Sequence, residues 1–314
     1  MLNDYVNEIR NGICNMRKTL RKIGTIKIGI VETTPIVWKE KLLRFEWMRK
    51  SNEYGYPNNQ KGYNFYQFVD METDEVTPEF GKDHIFGCPF VENDTVYVYG
   101  VKDSCCNNVI DMFWSTDFVN WQSKTVFDLP GWSFYNTSVC KGQKGYVMSV
   151  EIKKPEEYTG KPFTIVFAQS LDLFNWEFLS PMEHSYTRER YTACPTIRYF
   201  DGQYYIIYLE AMPLHRYMSY IVRSKDLEHF ELGIINPVMV HDNRDKYVIN
   251  PNMYTKEELE YIESAVNCNN SDIDLCEYKD KTVILYSWGN QLGKEFLALA
   301  EYDGSVKEFL ESFF

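Results

Sequence analysis

Carboxylate side chains stand at or just before the start of three segments whose residue pattern predicts β-strands. They are Glu32, Glu189 and the pair Asp272 and Asp274. If the fold brings these chain-distant acids to one place, they repel each other, and repulsion raises the pKa of one of them. One carboxyl then donates a proton while another acts as a base or nucleophile, so these residues predict acid–base chemistry at a shared site.

The acids belong to a repeated strand–turn–strand unit. Each copy has a run rich in β-branched and aromatic residues, a polar turn and a second such run, which is typical of an antiparallel hairpin. Five copies are present, with first strands near residues 35–38, 87–91, 137–140, 193–197 and 273–276. The repetition predicts one all-β domain built from small sheets.

A second motif, Ser-x-Asp-x-x-x-aromatic, follows three of these units. It spans 115–121, 170–176 and 224–230, so its period is about 55 residues. Ser and Asp side chains bond nearby backbone N–H groups in turns, and the aromatic residue fits the start of the next strand. We therefore interpret the motif as a structural turn without a catalytic part.

The combined pattern resembles the five-bladed propeller glycosidases of glycoside hydrolase families 43, 32, 117 and 130. The clearest segments are 194–208 and 167–176, and the resemblance covers roughly residues 27 to 305. It implies a five-bladed β-propeller, with residues 1–314 as a single domain. Radial repetition of this kind leaves few open sheet edges.

The resemblance also implies a function. In these families the first strand of each blade starts at a central funnel that carries the catalytic carboxyls. The implied activity is glycoside hydrolysis with a carboxylate general acid and a carboxylate base or nucleophile, acting on an oligosaccharide or glycoside. Its candidates here are Glu32, Glu189 and Asp272.

The chain departs from the family 43 pattern at both catalytic positions. That family has Asp-Pro in its first blade, where this chain has Thr34-Pro35, and Glu-Gly-Pro for the acid, where this chain has 193–195 as Ala-Cys-Pro. Glu32 and Glu189, two and four residues upstream, are interpreted as displaced substitutes.

Residues at the first-strand starts and the second-strand ends are predicted to line the same funnel. The predicted substrate-binding residues are Arg44, Glu46, Asn136, Glu151, Arg188, Arg190, Glu210, Asp274 and Trp288. Trp288 is expected to stack on sugar from an exposed turn. A structural ion pair of Glu46 with Arg44 or Arg49 is the alternative for Glu46. His84 and Asp274 are candidate ligands of an axial cation, with Ca²⁺ the structural ion that the resemblance suggests.

Three other functions remain open. The chain could be a carbohydrate-binding or catalytically lapsed propeller that kept the funnel and lost the acid pair. A glycoside phosphorylase is the second alternative, with phosphate held by Arg188, Arg190 or Arg44. The third is a propeller that serves only protein interactions. The sequence leaves the oligomeric state open.

Composition excludes several partners. A net charge of −12 with no basic run argues against nucleic acid, and no apolar window approaches the length of about 18 residues that a membrane span needs. The eight cysteines show no C-x-x-C spacing. We read them as free thiols and, with no signal-peptide pattern, expect a cytoplasmic protein.

Two segments lie outside the repeats. Residues 1–24 carry an apolar stripe with helical spacing, which predicts an amphipathic helix packed on the outside of the domain. An insertion over 236–270, between the fourth and fifth units, contains a predicted short helix over 259–266. Thr255 and Glu258 form the capping box that opens this helix. The strand pattern over 25–31 is expected to complete the last sheet.

Overall fold

Antiparallel β-sheet makes up most of the described chain. The computed structural model describes residues 19–50, 61–214, 216–290 and 292–314. The first strands in chain order are β1 (Leu20–Ile28), β2 (Thr34–Trp38), β3 (Lys41–Met48), β4 (Phe65–Asp70), β5 (His84–Glu92), β6 (Thr95–Lys102), β7 (Val109–Ser115), β8 (Gln122–Asp128), β9 (Ser133–Gly142) and β10 (Gly145–Lys154).

The remaining strands are β11 (Thr164–Ser170), β12 (Trp176–Phe178), β13 (Ala193–Phe200), β14 (Gln203–Met212), β15 (Arg216–Ser224), β16 (Phe230–Leu232), β17 (Asn269–Tyr278), β18 (Lys281–Gly289) and β19 (Glu295–Tyr302). Helices are short: α1 (Glu156–Thr159), α2 (Lys256–Ser264), α3 (Val306–Glu311) and the 3-10 turns Asn243–Lys246 and Pro251–Met253. None of the helices in the described ranges has the length and apolarity to cross a membrane.

The strands form meanders whose first strands meet each other. β2–β4, β5–β8 and β9–β12 are separate sheets, and an eight-stranded sheet holds the rest. In that larger sheet a single parallel pair, Met218 with Asn270, joins the meander β13–β16 to the strands β17, β18, β19 and β1. Contacts run from β2 to β5, β5 to β9, β9 to β13, β13 to β17 and β17 to β2. The first strands therefore surround a common centre.

The N-terminal part of the described chain is a strand. β1 pairs antiparallel with β19 from Leu20–Tyr302 to Ile28–Phe296, so the predicted strand over 25–31 begins earlier and does complete the last sheet. The predicted helix over 1–24 is wrong for residues 20–24, because their backbone groups pair with β19. Its residues 1–18 lie outside the described residues.

The insertion is anchored by a buried carboxylate. The expected helix is confirmed as α2, which begins three residues earlier than predicted because Thr255 and Glu258 form both bonds of the capping box. Before it, Asp245 is fully buried and accepts a hydrogen bond from the Tyr286 hydroxyl at 2.7 Å. Its ion pair with Lys22 measures 2.7 Å. These contacts fix the insertion against β1 and β18.

The Ser-x-Asp motif forms a structural turn, as predicted. Ser170 Oγ accepts from the Leu173 backbone N–H, and Asp172 Oδ1 accepts from the N–H groups of Phe174 and Asn175 at 2.9 and 2.8 Å. Backbone hydrogen bonds lower the pKa of Asp172 to about 2. The same bonds recur at Asp117 and Asp226. Ser115 pairs with Val96 beside the β5–β6 turn, so the motif lies at the sheet end remote from the first-strand starts.

We expect Asp172→Ala to lower the free energy of unfolding by about 1 kcal/mol at pH 7, because the turn loses its N–H acceptor. The folded-state pKa is depressed, so this stability is present above about pH 4 and is lost as the pH falls towards 2. Urea unfolding at pH 7 and pH 3 should show the difference shrinking at the lower pH. Glu177→Ala, at an exposed acid on β12, is the matched control; an equal loss there would contradict the assignment.

Candidate active site

The first-strand starts surround a small central cavity. Its walls include Glu32 ahead of β2, Gly87 on β5, Asn136 on β9, Cys194 on β13 and Asp272 on β17. The cavity measures about 30 Å³, which is room for one water molecule or one ion. A ligand larger than a water molecule would therefore extend beyond this cavity.

An irregularity at the start of the first strands directs side chains towards this centre. Four residues with a Cβ have left-handed backbone: Glu32 (φ 54°), Phe86 (φ 53°), Cys194 (φ 47°) and Asp272 (φ 52°). For the last three, two residues oppose one on the neighbouring strand, as in a β-bulge. β9 has a similar irregularity at Asn136, opposite Glu151 on β10. The local geometry interrupts the normal alternation of side chains.

Three of the converging side chains lie close together. One ligand-type atom each of Glu32, Cys194 and Asp272 is within 4.8 Å of the others. The Asn136 amide nitrogen is 3.3 Å from Glu32 Oε1, 3.0 Å from Glu151 Oε2 and 3.3 Å from Cys194 Sγ. The Cys194 N–H donates to Glu151 Oε2 at 2.8 Å. Glu32, Asn136, Glu151, Cys194 and Asp272, with Glu295, are called the acidic cluster below.

Burial controls the protonation of this cluster. The pKa of Glu151, whose side chain is almost fully buried, is raised to about 8 by desolvation. Desolvation and the charges of Asp272 and Glu32 raise the pKa of Glu295 to about 7. The pKa of Glu32 is also raised by desolvation and by Asp272, against the opposing charge of Arg49, whose Nη2 is 2.9 Å from Glu32 Oε2. Carboxyls that carry protons near neutral pH are therefore present.

Three members of the site were not predicted from the sequence. Cys194 was visible only as a departure from the family pattern, and its pKa is raised well above the usual value by burial. Glu295 starts β19, the third strand of its unit, and Arg49 follows the end of β3. Local sequence carries no signal for Glu295, since only the packing of β19 beside β18 brings it to the cluster.

A buried ion pair adjoins the cluster, since its carboxylate, Asp274, lines the same cavity. Arg198 on β13 donates to Asp274 Oδ1 at 2.5 Å and to the Leu275 carbonyl at 2.7 Å. The Thr34 hydroxyl donates to Asp274 Oδ2 at 2.7 Å. Asp274 thus lies near the centre, as predicted. Both of its oxygens bond protein groups, and the Arg198 guanidinium lies next to it where a cation was expected. His84, the other candidate cation ligand, uses both ring nitrogens in hydrogen bonds, to Asp111 and to the Lys82 carbonyl, each at 2.8 Å.

Other predicted residues are engaged elsewhere. Arg44 and Glu46 form a buried ion pair at 2.6 Å, which confirms the alternative interpretation for Glu46. Arg188 donates to the carbonyl groups of Glu157 and Tyr158 beside α1.

The other residues around Arg188 do not line the cavity. Arg190 pairs with Glu210 at 3.3 Å and donates to the Tyr186 hydroxyl at 2.7 Å. Glu189 is exposed in the segment between β12 and β13.

The predicted sugar-stacking role of Trp288 is wrong. Its side chain is fully buried, it stacks on Phe296 with ring centres 4.3 Å apart, and its indole N–H donates to Thr25 Oγ1 at 2.8 Å. The alternation of β18 points Trp288 into the core between β18 and the insertion, and the next residue, Gly289, is buried as well.

Half-buried aromatic rings form an arc beside the acidic cluster. Successive ring centres are 5.2 Å apart for Phe86–Tyr135, 4.7 Å for Tyr135–Phe163, 5.6 Å for Phe163–Tyr191 and 5.6 Å for Tyr191–Tyr217. Burial and the charges of the Cys194, Glu151 and Asp272 groups raise the pKa of Tyr191, which places the arc next to the cluster. Local sequence carries no signal that these five rings lie together, because they come from separate segments of the chain. This arc is called the aromatic arc below.

Comparison with solved structures defines the fold. A thermostable family-43 glycoside hydrolase matches with a TM-score of 0.60 and 12% identity, over 90% of this chain and 92% of the other. An exo-1,5-α-L-arabinanase from a bovine ruminal metagenomic library matches with a TM-score of 0.57 and 10% identity, over 90% and 95%.

A Bombyx mori family-32 β-fructofuranosidase variant in complex with sucrose matches with a TM-score of 0.54 and 14% identity, over 94% and 66%. No protein-family model and no curated protein matches the sequence. The chain therefore has the fold of the propeller glycosidases, as the resemblance implied, and at these identities the similarity concerns the fold alone.

We expect Arg198→Met to lower the free energy of unfolding by about 3 kcal/mol, because Asp274 would stay buried without its cation. This value is at the lower end of the cost of breaking a buried ion pair, because the Arg198 side chain is 21% exposed. Thermal and urea unfolding measure the effect. Arg21→Met, which breaks the exposed 2.6 Å pair with Glu301, is the control and should cost less than about 1 kcal/mol. Equal losses in the two variants would show that the central pair contributes no more to the free energy of unfolding than an exposed pair.

Proposed function

We propose that the protein is a glycoside hydrolase with the architecture of a five-bladed β-propeller. The observation that carries the activity is the acidic cluster, in which carboxyls from distant strands share one half-buried site beside the aromatic arc. Paired carboxyls in different protonation states are what glycoside cleavage requires. Half-buried rings offer flat apolar faces, and sugar rings have apolar faces that fit them.

The contacts among first strands support five blades. β2, β5, β9, β13 and β17 contact one another in a cycle, and each begins its own meander. Pairing of β1 with β19 joins the N-terminal strand to the last meander. We propose that residues 1–314 form this single domain, with 236–270 inserted between the fourth and fifth blades.

We assign the nucleophile to Glu32 and the acid to Asp272. Both Glu32 oxygens accept hydrogen bonds, one from Arg49 at 2.9 Å and one from Asn136 at 3.3 Å, which suits a carboxylate. Asp272 is assigned the acid because it is the nearest other carboxyl that lines the same cavity. The closest oxygens of the two residues lie within 4.8 Å, nearer the separation of about 5 Å of retaining enzymes than that of about 6.5–9.5 Å of inverting ones.

A retaining reaction follows from these roles. Glu32 forms a bond to the anomeric carbon as the glycosidic C–O bond breaks, and Asp272 gives its proton to the departing oxygen. Water then attacks the glycosyl–enzyme bond, and Asp272 takes the proton from that water. Glu32 is released as a carboxylate. The glycoside is expected to be uncharged, since the acidic cluster would repel an acidic sugar.

Glu32→Gln and Asp272→Asn are each expected to lower turnover of an aryl glycoside by at least about 100-fold, as loss of a nucleophile or general acid should. The measurement is aryl release over a panel of glycosides, with the fold verified by circular dichroism. Glu189→Gln belongs in the same series, because Glu189 remains a predicted catalytic residue. Retained activity in the Glu32 and Asp272 variants, with loss in the Glu189 variant, would move the acid to the segment before β13.

The aromatic arc provides a test of sugar binding. We expect Tyr135→Ala to raise KM about 10-fold, which corresponds to about 1.4 kcal/mol of lost stacking, with a smaller change in kcat. Tyr146→Ala, at a half-buried tyrosine at the other end of the β9–β10 hairpin, is the control. An unchanged KM in the Tyr135 variant would remove the arc from the substrate site.

The phosphorylase and binding alternatives predict different results in the same assay. Arg44 and Arg190 are paired with carboxylates, and Arg188 with backbone carbonyls. Because these arginines are already engaged, the contacts support water rather than phosphate as the acceptor of the glycosyl group. Turnover only in the presence of inorganic phosphate would select the phosphorylase. Binding of glycosides without turnover would select the lapsed propeller.

A further inference from the structure

We propose that Glu32, Cys194 and Asp272 form a binding site for a thiophilic divalent cation, Zn²⁺ being the representative ion. The three residues lie just before, or within the first four residues of, three different first strands, yet their ligand-type atoms lie within 4.8 Å of one another. This site differs in ligands and chemistry from the axial Ca²⁺ expected at His84 and Asp274, whose polar atoms bond protein groups.

The geometry requires only small side-chain movements. Zn–O and Zn–S bonds of about 2.0 and 2.3 Å place the ligand atoms of a tetrahedral site roughly 3.3–3.5 Å apart. Closing the cluster from 4.8 Å takes a shift of about 1 Å, which side-chain rotation provides. The left-handed backbone at Glu32, Cys194 and Asp272 directs all three side chains to the same cavity.

A buried hydroxyl gives independent support. Thr33 is 2% exposed and lines the cavity, and its Oγ1 has no hydrogen-bond partner in the structure. A buried polar atom without a partner is costly, and ordered water commonly satisfies such atoms. The cavity of about 30 Å³ has room for one water or ion. A cation at the cluster with a bound water would supply both the fourth ligand and a partner for Thr33.

The ligand set decides which cations fit. A thiolate with carboxylates suits Zn²⁺ and related soft ions, whereas Ca²⁺ and Mg²⁺ take oxygen ligands. A bound cation would keep Glu32 and Asp272 from a glycoside, so if the proposed function holds, Zn²⁺ inhibits it.

Two cysteines that are exposed in the described part of the chain must be removed before the test. Cys105 and Cys106 lie on the β6–β7 loop with their sulfurs 3.5 Å apart, and such a pair could itself bind soft metals. The Cys105→Ser/Cys106→Ser protein, stripped with chelator, is therefore the reference. Zn²⁺ binding is measured by equilibrium dialysis, and Co²⁺ reports thiolate ligation through its sulfur-to-metal charge-transfer absorbance.

We expect the reference protein to bind one equivalent of Zn²⁺ and to show the charge-transfer absorbance with Co²⁺. Adding Cys194→Ser should abolish that absorbance and weaken Zn²⁺ binding at least about 100-fold. Asp272→Asn, whose side chain tolerates the left-handed backbone, should weaken binding without a change in fold. Cys268→Ser, at a half-buried cysteine outside the cavity lining, is the matched control and should change neither signal.

Three results would overturn the proposal. They are absence of stoichiometric Zn²⁺ binding in the reference protein, binding that survives Cys194→Ser, and Ca²⁺ displacing Zn²⁺ at equal concentration. The first would mean that the cluster is held by hydrogen bonds alone. Glycoside turnover is not a readout here, so failure of this proposal and failure of the proposed hydrolase are distinguished.

Discussion

The left-handed backbone at the start of the first strands is the constraint on which the site depends. A residue with a Cβ in this conformation costs roughly 1–2 kcal/mol, and such strain persists only where the surroundings hold it. At Asp272 the holding contacts are the regular pairs on either side, Ser271 with Ser287 and Asp274 with Leu285. The sheets therefore stabilise a geometry that the isolated segment would not adopt. Because of this backbone geometry, side chains from distant strands face one cavity.

Two groups of charged residues share this centre. The first is the acidic cluster, where burial and mutual repulsion favour protonated carboxyls and Arg49 offsets part of the negative charge. The second is the Arg198–Asp274 pair, whose hydrogen bonds satisfy the buried charges. This pair is nearly neutral, so it does not compensate the negative charge that remains on the cluster. Protonation of the cluster or binding of a cation would reduce that charge.

Structural and chemical roles are separated along the sheets. The Ser-x-Asp turns and the hairpin turns, such as Asn93-Asp94 with φ of 48° and 62°, lie at the end remote from the cavity. Those turns set the strand register through backbone hydrogen bonds. The first-strand starts take no part in those turns. Ala193 and Cys194 occupy positions where the resemblance implied an acid and a glycine, and β13 still pairs with β14 on both sides of the bulge at Cys194.

Local sequence determined the parts of this protein that depend on neighbouring residues. The strand–turn–strand units, the Ser-x-Asp turns and the capping box at Thr255 were predictable, because each is formed by bonds within a few residues. The convergence of Glu32 and Asp272 on one cavity was also predictable, since both lie at first-strand starts. Tertiary structure decided the rest. The bulges change which way side chains point, so Cys194 joins the cluster. The regular alternation of β18 and the packing of the insertion bury Trp288. Glu295 and Arg198 reach the centre only through the packing of strands in the tertiary structure, and burial raises the pKa of Glu295 to about 7.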